Sequence, residues 1–194
     1  MKIERYKMPK SSFLSVDKDI AKLCDLFLSN ERLCRLLYYD HSDPMHEDNV
    51  EDKGKLLARH YIRTMPKVPI EDELKNYIVI SFDNFIPTTN PEFRDNVINI
   101  EIMCNYDCWQ IADCQLRPYR IAGEIDSMLD GARLSGIGTL QFVSANQIII
   151  EGNWGGLSLT YLATHGEDDK KGFENPADEE QFLQEFAEMI ANGQ

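Results

Sequence analysis

Apolar and polar residues alternate most regularly between Tyr77 and Thr164. Ile78, Ile80 and Phe82 alternate with Tyr77, Val79 and Ser81, while Ile98, Ile100, Ile102 and Cys104 share a face opposite Asn99, Glu101 and Met103. β-Branched residues at a period of two, bounded by turn residues, predict two strands. Between them FIPTTNPEFRDN, with two prolines, reads as a loop. The period then changes. Ile121, Ala122, Ile125, Met128 and Leu129 form one stripe, with Arg120, Glu124 and Asp126 outside it, which predicts a helix over Arg117–Asp130. Pro118 suits its first turn and Gly131 its C-terminal cap. Alternation resumes at Leu140 and Phe142, Asn146 predicts a turn before Ile148–Ile150, and Leu157, Leu159 and Tyr161 predict a last strand.

On the N-terminal side, Ile20, Leu23, Cys24, Phe27, Leu28, Cys34 and Leu37 predict one amphipathic helix from Asp17 to Tyr38, apart from a skipped turn at residue 31. Asp17 is its expected N-cap. Residues 40–55 are polar and acidic and read as a mobile loop, as do residues 84–96. Residues 56–75, broken by Pro66 and Pro69, read as an extended connector, with Leu56–Ile62 open as a strand or a helical turn. Near the C-terminus Asn175-Pro176 starts a helix with Phe182, Leu183, Phe186, Met189 and Ile190 on its apolar stripe. So short a helix is marginal alone in water, so its stripe must dock on its own domain or on a neighbouring subunit.

One helix against a mostly antiparallel sheet is the economical arrangement for this element order. The predicted fold class is therefore α+β, with helix 117–130 packed on the sheet and further helices at both termini. The predicted divisions are an N-terminal helix and connector (1–75), a central α+β domain (76–165) and an acidic tail (166–194).

Composition narrows the function. A length of 194 residues suits about one domain. No run of eighteen apolar residues is present, so no spanning helix and no membrane partner are expected. MKIERYKMPKSS has no apolar core of a signal peptide, so an intracellular protein with free thiols is expected from its five cysteines. The net charge of −13, most concentrated beyond residue 165, disfavours nucleic-acid partners.

Candidate chemistry is sparse. Cys104, Cys108 and Cys114 lack the paired spacing of a zinc knuckle, so no metal is expected. There is no G-x-S-x-G elbow and no P-loop, and Gly136-Ile137-Gly138 precedes a strand, as a turn would. A catalytic residue and a cofactor are therefore not expected. The acidic runs read as solvated charge and helix-start residues. What remains are candidate contact residues. Trp109 and Trp154 are either exposed anchors or cover for the core. Arg117, Arg120 and Arg133, with Arg94, are either inter-subunit ion-pair partners or plain surface charges. Phe182 and Phe186 join them through the C-terminal stripe.

The run FDNFIPTTNPEFRDNVINIEIMC, the segments DCWQ, LRPYRIAGEIDSMLDG and LSGIGTLQF, and the closing LSLTYLATHGEDD together resemble the tail-terminator or tail-completion proteins of tailed bacteriophages. The resemblance covers residues 77–169. It implies an α/β fold that assembles as a ring, usually a hexamer, in the virion neck. Such a ring stops growth of the tail tube and meets the head connector. It implies assembly in the host cytoplasm, and partners that are the chain itself, the tail tube protein and the head connector or adaptor proteins. It transfers no binding residue position by position. The helices at 17–38 and 176–191 depart from the compact family core and put the ring contacts in doubt. Three other readings stay open: another head-completion connector, a small enzyme using Cys108 or Cys114 with a histidine, and an acidic binding module.

Overall fold

The computed structural model describes residues 16–58, 61–64, 76–89, 93–134, 136–150 and 152–166. Helix α1 (Val16–Ser29) and helix α2 (Glu31–Tyr38) stand where one helix was expected. Asn30 separates them. It adopts an extended backbone, and its side-chain oxygen accepts from the Arg32 and Leu33 amides, so it caps a second helix instead of continuing the first. The skipped apolar turn at residue 31 marks this restart. In the new register Leu33 and Leu36 are buried beside Cys34 and Leu37.

The expected loop at 40–55 is tied down. A 3-10 turn at Pro44–His46 is held by Arg35, whose Nη1 donates to the Met45 and Glu47 carbonyls at 3.1 and 3.0 Å. Helix α3 (Gly54–Ala58) and the two-residue strand β1 (Ile62–Arg63) then replace the start of the expected connector.

Strand β2 (Asn76–Pro87) and strand β3 (Phe93–Asn105) follow. They extend well into 84–96, so that stretch is largely the arms of a hairpin. A register shift between Asp83 and Ile86 and a left-handed Asn84 (φ 54°) let the polar, proline-containing segment remain paired. After β3 come a 3-10 turn (Tyr106–Cys108) and the small ribbon of β4 (Gln110–Ile111) and β5 (Gln115–Leu116). Helix α4 (Arg117–Leu129) has Pro118 in its first turn and Gly131 at φ 71° just past its end, as expected. A second ribbon pairs β6 (Arg133–Leu134) with β7 (Gly138–Thr139). Strands β8 (Gln141–Ile150) and β9 (Trp154–Gly166) form the last hairpin. Asn146 does not turn the chain but pairs with Ser158 inside β8; the turn includes Gly152 and Asn153, and Gly152 has φ 92°.

The main sheet has the order β1-β2-β3-β9-β8, antiparallel except for the parallel β1–β2 pair. The α+β class with a mostly antiparallel sheet holds. Alternation along the strands decides its two faces. Ile78, Ile80, Ile98, Ile100, Ile102, Cys104, Leu157, Leu159 and Tyr161 point into one core with Ile121, Ile125 and Leu129 of α4. That core also contains Leu23 and Phe27 of α1, Leu33, Cys34, Leu36 and Leu37 of α2, and Leu56, so the N-terminal helices share the core of the sheet. The opposite face holds a smaller cluster, Tyr77, Val79, Met103 and Trp154, with Ile148 and Ile150 against it. Beside this cluster the same face is polar: Asn99 donates to Asp83 and accepts from Thr160 across three strands. The expected helix at 176–191 lies outside the described residues.

Candidate functional site

Arg117, expected at the surface, is completely buried, with 0% of its area exposed. It begins α4, and its guanidinium reaches four backbone carbonyls. Nε donates to Cys108 at 2.8 Å, Nη1 to Leu36 and Tyr39 at 2.7 Å each, and Nη2 to His41 at 2.5 Å. Two of these acceptors lie in or just beyond the last turn of α2, whose carbonyls lack helical partners and sit at the negative end of the dipole. Arg117 therefore caps α2 from a distance and binds three segments together. Burial lowers its pKa, an effect opposed by Cys104 and Cys108, and burial pushes the Cys104 thiol well above the usual thiol range. A side chain so enclosed has no surface to offer a partner.

Trp154 is also buried rather than exposed. Its ring lies 5.5 Å from that of Tyr77, whose phenol is pushed up to about 12 chiefly by burial. Trp109 is half-buried. It packs on the core and against the exposed ring of Tyr106, at 5.1 Å between centroids. Arg120 is half-buried on α4, and its Nε has no acceptor among the described residues. Arg133 is exposed on β6. Arg94 is half-buried on β3, paired in register with His165. Phe182 and Phe186 lie outside the described residues. The candidate contacts thus scatter: Arg117 and Trp154 belong to the interior, whereas Arg94, Trp109, Arg120 and Arg133 reach the surface of the described fold.

The cysteines do not converge. Cys24, Cys34, Cys104 and Cys108 are buried, whereas Cys114 is exposed. Burial pushes Cys24 up to about 12 and Cys34 to about 11. Cys114 and its neighbour Asp113 both have left-handed backbones (φ 56° and 59°) in the turn between β4 and β5. The turn is fixed at Ala112, whose amide donates to the Ser42 carbonyl at 2.7 Å. Among the described residues no three His, Cys, Asp or Glu side chains are gathered as a metal site would need.

The surface with the most unusual composition is the β8–β9 hairpin. β8 is an outer strand of the sheet, and Phe142, Val143 and Ile149 on it are exposed, as is Leu162 on β9. Where the hairpin meets the rest of the fold, Gly156 is obligatory and Gly155 is tightly enclosed. A Cβ on Gly155 would come within 2.8 Å of the Tyr106 hydroxyl, and one on Gly156 would overlap the Ile102 carbonyl of the neighbouring strand. On the helix side, the Tyr161 hydroxyl donates to Asp126 at 2.8 Å and locks β9 to α4. The absence of charge from Leu134 to Ile150 is legible in the sequence; that no other described strand pairs with the outer side of β8 is not.

Fold and surface together define an α+β domain with helices on one sheet face and, among the described residues, an outer strand of neutral composition. A family model described as YomW matches residues 30–163, and the chain belongs to that family. No match was found among curated proteins. Among solved structures the chain is similar to a chain of the virion of a native gene transfer agent (GTA) particle. The identity is 15% and the TM-score 0.38, over 54% of this chain and 76% of that one. A likeness of this degree carries no argument about function.

Proposed function

We propose that this chain is a structural virion protein of a tailed phage, placed at the tail end or neck. There it forms a ring that terminates the tail tube and joins it to the head connector. One observation carries the reading. The segments that resemble tail-completion proteins are those that build β2, β3, α4 and β9, the centre of the fold. The buried positions of those segments do structural work. Arg117, Tyr161 and Gly156 are each engaged with backbone or with a neighbouring element, as the parts of a scaffold are.

The partners are further copies of the chain, the tail tube protein and the head connector or adaptor proteins. The test adds the purified full-length protein to polymerising tail tube protein and follows tube length by electron microscopy. Tubes of arrested length with an added disc at one end are expected. Unchanged tube growth, with the protein strictly monomeric at high concentration, would overturn the proposal.

A further inference from the structure

From Leu134 to Ile150 the sequence contains no Asp, Glu, Lys or Arg, although 27% of the chain is charged. Strand β8 lies within that run. Its inner side pairs with β9, and among the described residues no strand pairs with its outer side. An open edge presents a row of unused N–H and C=O groups, which natural proteins usually guard with charge, proline, shortness or a bulge. β8 is ten residues long and has neither charge nor proline. Its one irregularity, between Phe142 and Ser144, lies at one end and leaves Ser144–Ile150 regular. At roughly 3.3 Å per residue those seven positions offer about 23 Å of edge. At the Phe142 end the edge is engaged, since the Phe142 amide donates to the Asp130 carboxylate at 3.1 Å; the strand's own side chains are apolar or neutral, with Ile149 73% exposed, Val143 57% and Phe142 43%.

We propose that β8 is the strand through which one copy of this chain extends its sheet into a second copy. Charge selects the occupant. A partner of opposite sign would be met by the acidic surfaces that give the chain its net charge of −13. A second copy has the same charge, and every acidic patch repels it within the screening distance of about 8 Å at physiological salt. The neutral edge is where two such copies approach at the least electrostatic cost. Main-chain bonds then supply the affinity, as in other strand additions.

The inference rests on the self-assembly part of the proposed function and names its surface. The experiment measures the mass of the full-length protein by sedimentation equilibrium at low, physiological and high salt. Variants Ile149→Glu, Ile149→Lys and Ile149→Val are compared, with circular dichroism and thermal midpoint as controls for folding. Ile149 is so exposed that all three variants keep the fold. The wild type is expected to self-associate more strongly as salt rises, because screening relieves like-charge repulsion. Both charged variants are expected to weaken association by about tenfold or more, equivalent to roughly 1.4 kcal/mol, and the valine variant to leave it unchanged. Opposite effects of Glu and Lys, or association that weakens with salt, would overturn the proposal in favour of a charge-paired contact. Equal association in all four proteins would overturn it too, as would pairing of β8 only with an extended segment of a different protein. Association through β8 without arrest of tail tubes would reject the neck role and leave the strand pairing standing.

Discussion

Replacing Arg117 with methionine keeps much of the side-chain volume and removes all four donors to the Cys108, Leu36, Tyr39 and His41 carbonyls. Each hydrogen bond from a charged donor is worth roughly 1.5–3 kcal/mol, so the gross loss is roughly 6–12 kcal/mol. Against it stands the desolvation of a buried guanidinium, several kcal/mol that the methionine variant no longer incurs. The carbonyls left behind are enclosed between α2, the 3-10 turn after β3 and α4, where water cannot readily replace the donor. The expected net loss is about 3–5 kcal/mol, in the range found when one member of a buried charged network is removed. For a chain of this size that lowers the thermal midpoint by about 6–20 °C. Arg117→Lys keeps the charge but not the planar fork, and is expected to lose about half as much. Urea unfolding with linear extrapolation, on dilute protein, measures all three. If Arg117→Met lies within about 1 kcal/mol of the wild type, the capping role is wrong. If it leaves the dilute protein stable but lowers the mass of the assembly, Arg117 is a subunit contact instead.

Three further perturbations test other joints of the fold. Gly156→Ala drives a methyl into the Ile102 carbonyl on β3, and a loss on the order of 3 kcal/mol is expected by urea unfolding; a neutral effect would show that β9 can shift there. Asn30→Ala removes the cap of α2 and the bond to Glu124 on α4, with an expected loss of about 0.5–2 kcal/mol by the same measurement. His46 Nδ1 donates to the Asp43 carboxylate at 2.7 Å, and this hydrogen bond raises its pKa. Its contribution to stability is present at pH below the unfolded value near 6.5 and fades as pH rises through the raised folded value. At so exposed a pair the clean readout is the imidazole titration by NMR, which Asp43→Asn should move down; an unmoved midpoint refutes the assignment.

The strands and α4 were determined by local pattern. Residues at a period of two or 3.6 must place one face inward wherever the chain folds, so Ile98, Ile100 and Ile102, or Ile121, Ile125 and Leu129, could be assigned inward from the sequence alone. Pro118 and Gly131 were legible for the same reason, since their backbone demands are local. Tertiary structure decided the rest. Asn30 reads as a helix residue until its side chain turns to cap a second helix and meet Glu124, 94 residues away in sequence. Arg117 reads as a surface charge because nothing nearby in sequence reveals that the end of α2, some 80 residues earlier, needs donors there. The segments around 84–96 and Asn146 read as loop and turn because proline and asparagine weigh against strands locally, while pairing of β2 with β3 and of β3 and β8 with β9 outweighs that preference. A neutral run from Leu134 to Ile150 is visible in the sequence, but only the sheet order places its strand on the outside of the described sheet, because which strand is outermost is a property of the whole sheet.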